Sequence, residues 1–288
     1  MPVRLLQDFL RLLLVSPIGG LAVRLSKTIL NPKGRDWVDV ERLTLTLPRL
    51  APEFHGYRVA QISDFHIGTW LTGDQLLEAV ELVNRQEPDL VAITGDFVTY
   101  CPERFAGELV QALSRLKPRD GTVAVLGNHD HWTGAGAVRE ILRQAGVQVL
   151  SNRAMGVERD GACLWVAGVD CHYDGLDRLD LVLEQLPQEQ AALLLAHEPD
   201  FADTSAATGR FELQLSGHSH GGQIRLPFIG PPFLPHLGRK YPAGLYRVRD
   251  MHLYTNRGLG TAELALRWNC RPEITIFTLQ APASLFEK

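Results

Sequence analysis

From about residue 40 onward, apolar and polar positions fall into short strand-like runs separated by helical ones. Leu43, Leu45 and Leu47 alternate with Thr44 and Thr46, the two-residue period of a strand, so residues 40–47 open a folded domain. Residues 58–63 (RVAQIS) read as a buried strand that ends at Asp64. Thr72, with Gln75 three positions on, has the spacing of a capping box and starts a helix over 74–85. The apolar run 90–94 is a second strand and ends at Gly95-Asp96, followed by a helix over 104–116. Residues 122–126, after the Arg119-Asp120-Gly121 turn, form a third strand that ends at Gly127-Asn128. Further strands are predicted over 163–169, 192–195, 211–215, 244–248, 252–255 and 274–279, with a helix over 176–186. The pattern is α/β, and in each of the first three units a polar motif falls immediately after the strand. In open α/β sheets that position faces a shared crevice at the carboxyl ends of the strands.

The N-terminal 35 residues read differently. On a helix, Arg4, Gln7, Asp8 and Arg11 make a narrow polar stripe, leaving Leu5, Leu6, Phe9, Leu10, Leu12, Leu13 and Leu14 on a wide apolar face. Ser16-Pro17 and Gly19-Gly20 then break the helix. Asp8 and Arg11 interrupt what would be the apolar part of a secretion signal, and no small-residue cleavage pattern follows, which disfavours a cleaved signal. The longest uncharged stretch, between Arg11 and Arg24, would reach only about 18 Å as a helix against a hydrocarbon core of roughly 30 Å. It is too short to span. Arg4, Arg11, Arg24, Lys27, Lys33 and Arg35 stand against the single acid Asp8, so residues 1–30 are expected to meet an anionic membrane surface, the alternative being a helix packed on the protein's own core. The division is therefore 1–35, an amphipathic membrane-associating segment, and 36–288, one catalytic domain.

Composition narrows the partners. With 288 residues, 45% of them hydrophobic, the chain can bury a large core, and a formal net charge of -4 gives no reason to expect a stable nucleic-acid partner. The four cysteines Cys101, Cys163, Cys171 and Cys270 are scattered, with no Cys-x-x-Cys pair, which suits a reducing compartment.

The chemistry lies in five dispersed segments: Asp64-Phe65-His66, Gly95-Asp96, Gly127-Asn128-His129-Asp130, His197 and Gly217-His218-Ser219-His220. Each is weak alone, because an Asp-x-His tripeptide arises by chance and a loop carboxylate often only caps a helix. Together, all following apolar strands, they supply carboxylate, imidazole and amide ligands without thiolate, a set that suits Mn, Fe, Zn or Mg. A pair of such ions needs a bridging carboxylate, and Asp96, after the middle strand of the first three, is the natural bridge. Two ions about 3.5–4 Å apart acidify a shared water and clamp the attacking and leaving oxygens of an in-line displacement. A phosphate ester or anhydride is the matching substrate.

In order and in full, these segments resemble the calcineurin-like metallophosphoesterase superfamily, over residues 57–280. The resemblance implies a four-layer αββα sandwich with a dinuclear site at the strand ends. It implies that Asp64, His66 and His220 hold one ion, that Asp96 bridges, and that Asn128, His197 and His218 hold the second, with manganese favoured. It also implies hydrolysis of a phosphodiester or pyrophosphate bond by in-line attack of a metal-bridging hydroxide. His129 would then stand beside the scissile phosphate, stabilising charge or protonating the leaving oxygen, a role suited to an imidazole near its ordinary pKa. Asp130 is expected to fix the turn or a neighbouring side chain, or to cap the following helix. The Gly-Asp-x-x-Asp-Arg-Gly pattern of serine/threonine protein phosphatases is absent, which disfavours that branch and leaves the partner that orients His129 open.

The run 56–64 (GYRVAQISD), the extension to Gly221-Gly222-Gln223, Gly244-Leu245-Tyr246 and the segment 256–260 (NRGLG) resemble a narrower bacterial group. It contains the YkuE- and YaeI-type phosphoesterases and the enzyme that hydrolyses UDP-2,3-diacylglucosamine. That resemblance implies a lipid-linked substrate and a peripheral place on the cytoplasmic face of a bacterial inner membrane. The apolar, proline-rich loop 226–235 either lines an acyl groove, touches the membrane or packs over the sheet. Arg257, flanked by Asn256 and Gly258 after a strand, is expected to meet a second phosphate, with Asn256 beside it. The competing readings are a soluble phosphodiesterase for cyclic nucleotides or nucleic acid, a plainly cytoplasmic protein, and a non-catalytic scaffold. A scaffold has little physical reason to bury seven ligands and His129, because buried carboxylates and imidazoles are costly without a partner.

Overall fold

The computed structural model describes residues 37–262 and 264–286. The predicted N-terminal helix, and with it the 1–30 membrane face, lies outside the described residues. Two six-stranded sheets carry the fold. The first runs β1(Asp39–Thr46), β12(Glu273–Gln280), β2(Tyr57–Ile62), β3(Leu90–Thr94), β4(Thr122–Val125), β5(Val147–Val149). The second runs β10(Gly244–Val248), β11(Met251–Thr255), β9(Leu213–Ser216), β8(Ala192–Leu195), β7(Ala162–Gly168), β6(Arg153–Arg159). β2, β3, β4 and β5 are mutually parallel, as are β7, β8, β9 and β11.

The strand period sorts side chains into layers. In β3, Val91 and Ile93 join the core under the helices α1(Gly73–Asn84), α2(Pro102–Leu113) and α3(Asn128–Gln144), whereas Leu90 and Ala92 join a second core between the sheets. In β8, Leu193 and Leu195 face that middle core, and Ala192 and Leu194 pack under the short helices α4(Leu179–Glu184) and α5(Ala202–Ala207). Three cores between four layers make an αββα sandwich, as expected. Strands buried on both faces explain why these runs are apolar at every position rather than at alternate ones.

The predicted elements recur with shifts of a few residues. Thr72 caps α1 with its hydroxyl while Gln75 returns the bond, the full capping box. The helix predicted over 176–186 shortens to Leu179–Glu184, because the polar run Tyr173–Arg178 is a turn closed by Leu176 N–H to the carbonyl of Cys171. β5 and β6 carry too little apolar periodicity to be predicted, and they form on sheet edges where only one neighbour supports them.

Candidate metal centre

Five strands deliver the five segments to one rim. Asp64 follows β2, Asp96 follows β3, Asn128 follows β4, His197 follows β8 and His218 follows β9. The turns are laced to their neighbours within each sheet: Asp64 N–H donates to the Gly95 carbonyl (2.9 Å), His66 N–H to that of Asp96 (3.0 Å) and Gly217 N–H to that of His197 (3.0 Å). Asp64, His66, Asp96, His218 and His220 all have positive φ, between 43° and 67°. For residues other than glycine that region costs on the order of 1 kcal/mol or more each, and such strain gathers where geometry serves a site. Here it turns successive side chains into one pocket.

Two ligand clusters result. Asp64, His66, Asp96 and His220 place ligand atoms within 4.8 Å of one another, as do Asp96, His197 and His218, and every member is buried. Asp96 belongs to both. Its Oδ2 lies 3.3 Å from His66 Nε2 on one side and 3.2 Å from His197 Nε2 on the other. His66 Nε2 and His220 Nε2 approach to 3.0 Å, and His220 Nε2 lies 3.4 Å from Asp64 Oδ1. Asn128, 2% exposed, stands at the start of α3 after β4, and its Oδ1 is buried without a hydrogen-bond partner. A buried amide oxygen without a donor costs about 1–3 kcal/mol unless something else satisfies it. Converging nitrogens, shared carboxylate oxygens and this orphaned oxygen fit divalent cations, and the absence of thiolate fits Mn, Fe, Zn or Mg without choosing among them.

The surrounding groups orient the imidazoles. The Thr94 carbonyl can only accept, so His197 Nδ1 carries a proton in their 2.6 Å bond, and that bond turns Nε2 toward Asp96, 3.2 Å away. The His236 carbonyl likewise takes the Nε2 proton of His218 at 2.7 Å, leaving Nδ1 free, and Thr99 Oγ1 holds His66 Nδ1 at 2.9 Å. Burial opposes charge throughout, but the Asp96–His197 attraction outweighs it, holding Asp96 well below the usual carboxylate range and His197 well above the usual imidazole range.

His129 stands at the mouth, partly buried, with its ring edge-to-face on His66 at 4.7 Å. Burial pushes its pKa down to about 4, so it is neutral at pH 7 rather than near its ordinary pKa. A neutral imidazole of this kind can donate a hydrogen bond from its single N–H. Asp130 enters neither cluster. Its carboxylate accepts from the N–H groups of Gly127 (2.9 Å), Asp96 (2.9 Å) and Phe97 (2.9 Å), so the two roles considered for it, pinning a turn and capping a helix, are both filled.

Arg257 and Asn256 are not placed as expected. The Arg257 guanidinium is engaged through Nε by Glu273 and through Nη2 by Glu41 at 3.0 Å and Asp39 at 3.4 Å, so it is tied into the fold. Asn256 is fully buried, donating to Thr275 Oγ1 (2.9 Å) and accepting from Gly258 N–H (2.7 Å). Both side chains have partners within the fold. In the 226–235 loop, Phe228, Ile229 and Phe233 are exposed instead of packing over the sheet.

Sequence reasoning missed several contributors. Buried Arg267 donates to the carbonyls of Arg257, Gly258 and Gly260 and wraps the loop beside Asp64, with no local signal in its own segment. Glu198 accepts from the N–H groups of His172 and Tyr173, both at 3.1 Å, and holds a loop that faces the mouth. Trp132, one helical turn beyond His129, packs against that imidazole at 4.9 Å; the three-residue spacing on a helix was the available signal.

Comparison with known proteins agrees with this geometry. The calcineurin-like phosphoesterase family model matches residues 57–222. The chain is 34% identical over 232 residues to YkuE, an uncharacterised metallophosphoesterase of Bacillus subtilis, a match spanning 79% of this chain and 80% of that one. It is 32% identical to phosphodiesterase YaeI of Escherichia coli, over 77% of this chain and 82% of that one. A transmembrane protein with a metallophosphoesterase domain from Danio rerio is 31% identical, over 84% of this chain and 57% of that one. With its two strand-end clusters sharing Asp96, the chain belongs to the calcineurin-like phosphoesterases and is a metal-dependent phosphoester hydrolase.

Proposed function

We propose that this protein holds two divalent cations, manganese by preference, and hydrolyses a phosphodiester or pyrophosphate bond in a lipid-linked substrate such as UDP-2,3-diacylglucosamine. The observation that carries the dinuclear part is Asp96 shared between two buried clusters, beside an Asn128 oxygen with no other partner. Asp64, His66 and His220 would hold one cation with Asp96, and Asn128, His197 and His218 the other. Bound there, the cations supply Lewis acidity and a water acidic enough to attack at neutral pH. The chain's residues do the rest. The carbonyls of Thr94 and His236 keep His197 and His218 in the tautomers that present their free nitrogens. Asp130 holds the Asp96 turn at the distance that lets one carboxylate serve both clusters. His129, neutral in its buried setting, donates a hydrogen bond toward the phosphoryl oxygens and gains proton-donating power as their charge raises its pKa.

The lipid reading is supported by the exposed Phe228, Ile229 and Phe233 in a loop that begins just after His220, and by the basic, leucine-rich residues 1–30. Among the described residues no helix is long and apolar enough to cross a membrane. The uncharged stretch between Arg11 and Arg24 is too short to span one, so the attachment proposed is peripheral, at the cytoplasmic face of a bacterial inner membrane. Domain division at residue 36 belongs to the same proposal.

The test measures turnover of manganese-loaded protein on UDP-2,3-diacylglucosamine in micelles, on a cyclic nucleotide and on bis(p-nitrophenyl) phosphate, together with bound metal per chain. Two ions per chain and preferred turnover of the lipid substrate are expected. One ion or none sinks the dinuclear centre, and turnover of the soluble substrates alone sinks the lipid assignment. Partition onto anionic vesicles is expected to fall in a Phe228→Ser/Ile229→Ser variant; unchanged partition removes the loop from the membrane contact.

A further inference from the structure

The mouth of the centre is ringed by aromatic side chains in continuous contact. His66, from the first cluster, meets His129 at 4.7 Å; His129 meets Trp132 at 4.9 Å; Trp132 meets Tyr173 at 5.4 Å; and Tyr173 meets His218, from the second cluster, at 6.1 Å. The two histidines that close this arc are buried, but Trp132 is 54% exposed and Tyr173 39%. Both are nonetheless held in place. The Trp132 indole N–H donates to Asp174 Oδ1 at 3.2 Å, and the loop carrying Tyr173 and Asp174 is tied down by Glu198 through the N–H groups of His172 and Tyr173. Tyr173 also packs edge-to-face on His236, whose carbonyl holds His218.

We propose that Trp132 and Tyr173 form a stacking subsite for a planar ring carried by the substrate next to its scissile phosphate, of the size of a nucleobase. A large indole left open to water, yet fixed by a hydrogen bond and ring contacts on two sides, is a surface prepared for a partner. Little side-chain freedom is lost when a ligand covers it, which is the condition under which an aromatic platform contributes most to binding. Its position chooses the chemistry. Trp132 touches the histidine beside the reacting phosphate, so a ring resting on it is one phosphate and a short linker away, the layout of a nucleoside phosphate. Stacking on indole and phenol reads a π-face rather than a hydrogen-bonding edge, so the subsite selects planar rings over alkyl groups without selecting one base. This assignment rests on the hydrolytic reading of the adjoining centre.

Binding separates the two. Manganese-loaded protein is titrated by calorimetry with uridine 5′-monophosphate and with glycerol 3-phosphate, for the wild type, Trp132→Ala, Trp132→Phe and Tyr173→Ala. The wild type is expected to bind the nucleotide about tenfold more tightly than the alkyl phosphate, the size of one stacked base. Trp132→Ala loses most of that preference, Tyr173→Ala part of it, and Trp132→Phe keeps most of it, while glycerol 3-phosphate affinity stays within about twofold throughout. With a diester substrate bearing the same ring, Trp132→Ala raises KM, and Trp132→Phe raises it less. Equal affinity of the wild type for the two ligands, no binding of the nucleotide, or an equal loss for both ligands in Trp132→Ala overturns the subsite. A protein that binds the nucleotide through Trp132 but cleaves no phosphoester refutes the catalytic reading and leaves the subsite standing.

Discussion

His129 and Asp130 are neighbours with opposite relations to the reaction. The His129 side chain meets the clusters through ring contact with His66, and its backbone N–H, which donates to Asp96 Oδ1 at 3.0 Å, survives truncation, so removing the imidazole takes away a donor at the phosphate without taking away a ligand. His129→Ala is expected to lower kcat by about 10²–10⁴-fold, the usual worth of a positioned proton donor, with two metal ions per chain retained by elemental analysis. Loss of metal in that variant would make it structural instead. Asp130 acts on the backbone: its carboxylate gathers the N–H groups of Gly127, Asp96 and Phe97. Asp130→Ala strands those donors in a buried turn, at about 1–3 kcal/mol for each one left unsatisfied. Metal affinity should weaken along with stability, and Asp130→Asn, which keeps an acceptor, should recover part of both. An Asp130→Ala protein with full metal affinity would show that the Asp96 turn holds itself.

At the scale of elements, the site depends on how strand ends are tied to one another. Arg257 follows β11 and reaches Glu273 at the start of β12 and Asp39 and Glu41 in β1, joining three strands of two sheets just behind the Asp64 turn. Glu273 is 2% exposed, so truncating its cation leaves a buried charge unpaired. For a guanidinium that is itself partly exposed, the cost falls near the lower end of about 3–5 kcal/mol. Arg257→Ala should therefore lower Tm by roughly 5–10 °C, measured by thermal unfolding, while KM stays within about twofold. A KM rise without a Tm change would restore the substrate contact first expected of this residue. Close approach between elements is equally constrained. A Cβ at Gly260 would lie 1.8 Å from the Phe65 carbonyl oxygen, and one at Gly217 would lie 2.3 Å from Asp64 Oδ2. Backbone meets backbone and ligand at these points, and only glycine leaves room.

For the molecule as a whole, the two sheets press their inner faces into one core and bring the carboxyl ends of their parallel strands to a common edge, where the buried Asp64 and Asp96 lie close together. Two carboxylates in so little space are stabilised by cations bound to the folded state alone. Chelation is expected to abolish phosphoesterase activity and to lower stability by about 4 kcal/mol if the free ion had stood a thousandfold above its Kd, with both restored by manganese. Unfolding curves that coincide with and without chelator would deny the linkage. The amino-acid order by itself determined the strand runs, the capped helix α1 and the seven ligand-type residues, because periodicity, capping chemistry and strand-end position are all local. Asp96 could be singled out as the shared carboxylate, since the middle of three parallel strands is already central, and it is the residue common to both clusters. Tertiary structure alone decided that Arg257 and Asn256 turn inward, that His129 is buried enough to be neutral, and that Tyr173 and Arg267 join the centre. Each of these depends on which other segment lies opposite: Asp39 and Glu41 in β1 for Arg257, the His66 ring for His129, the loop held by Glu198 for Tyr173. A partner carried on another strand or loop leaves no mark on the local pattern, and burial, which sets both charge state and availability, exists only once the layers have closed.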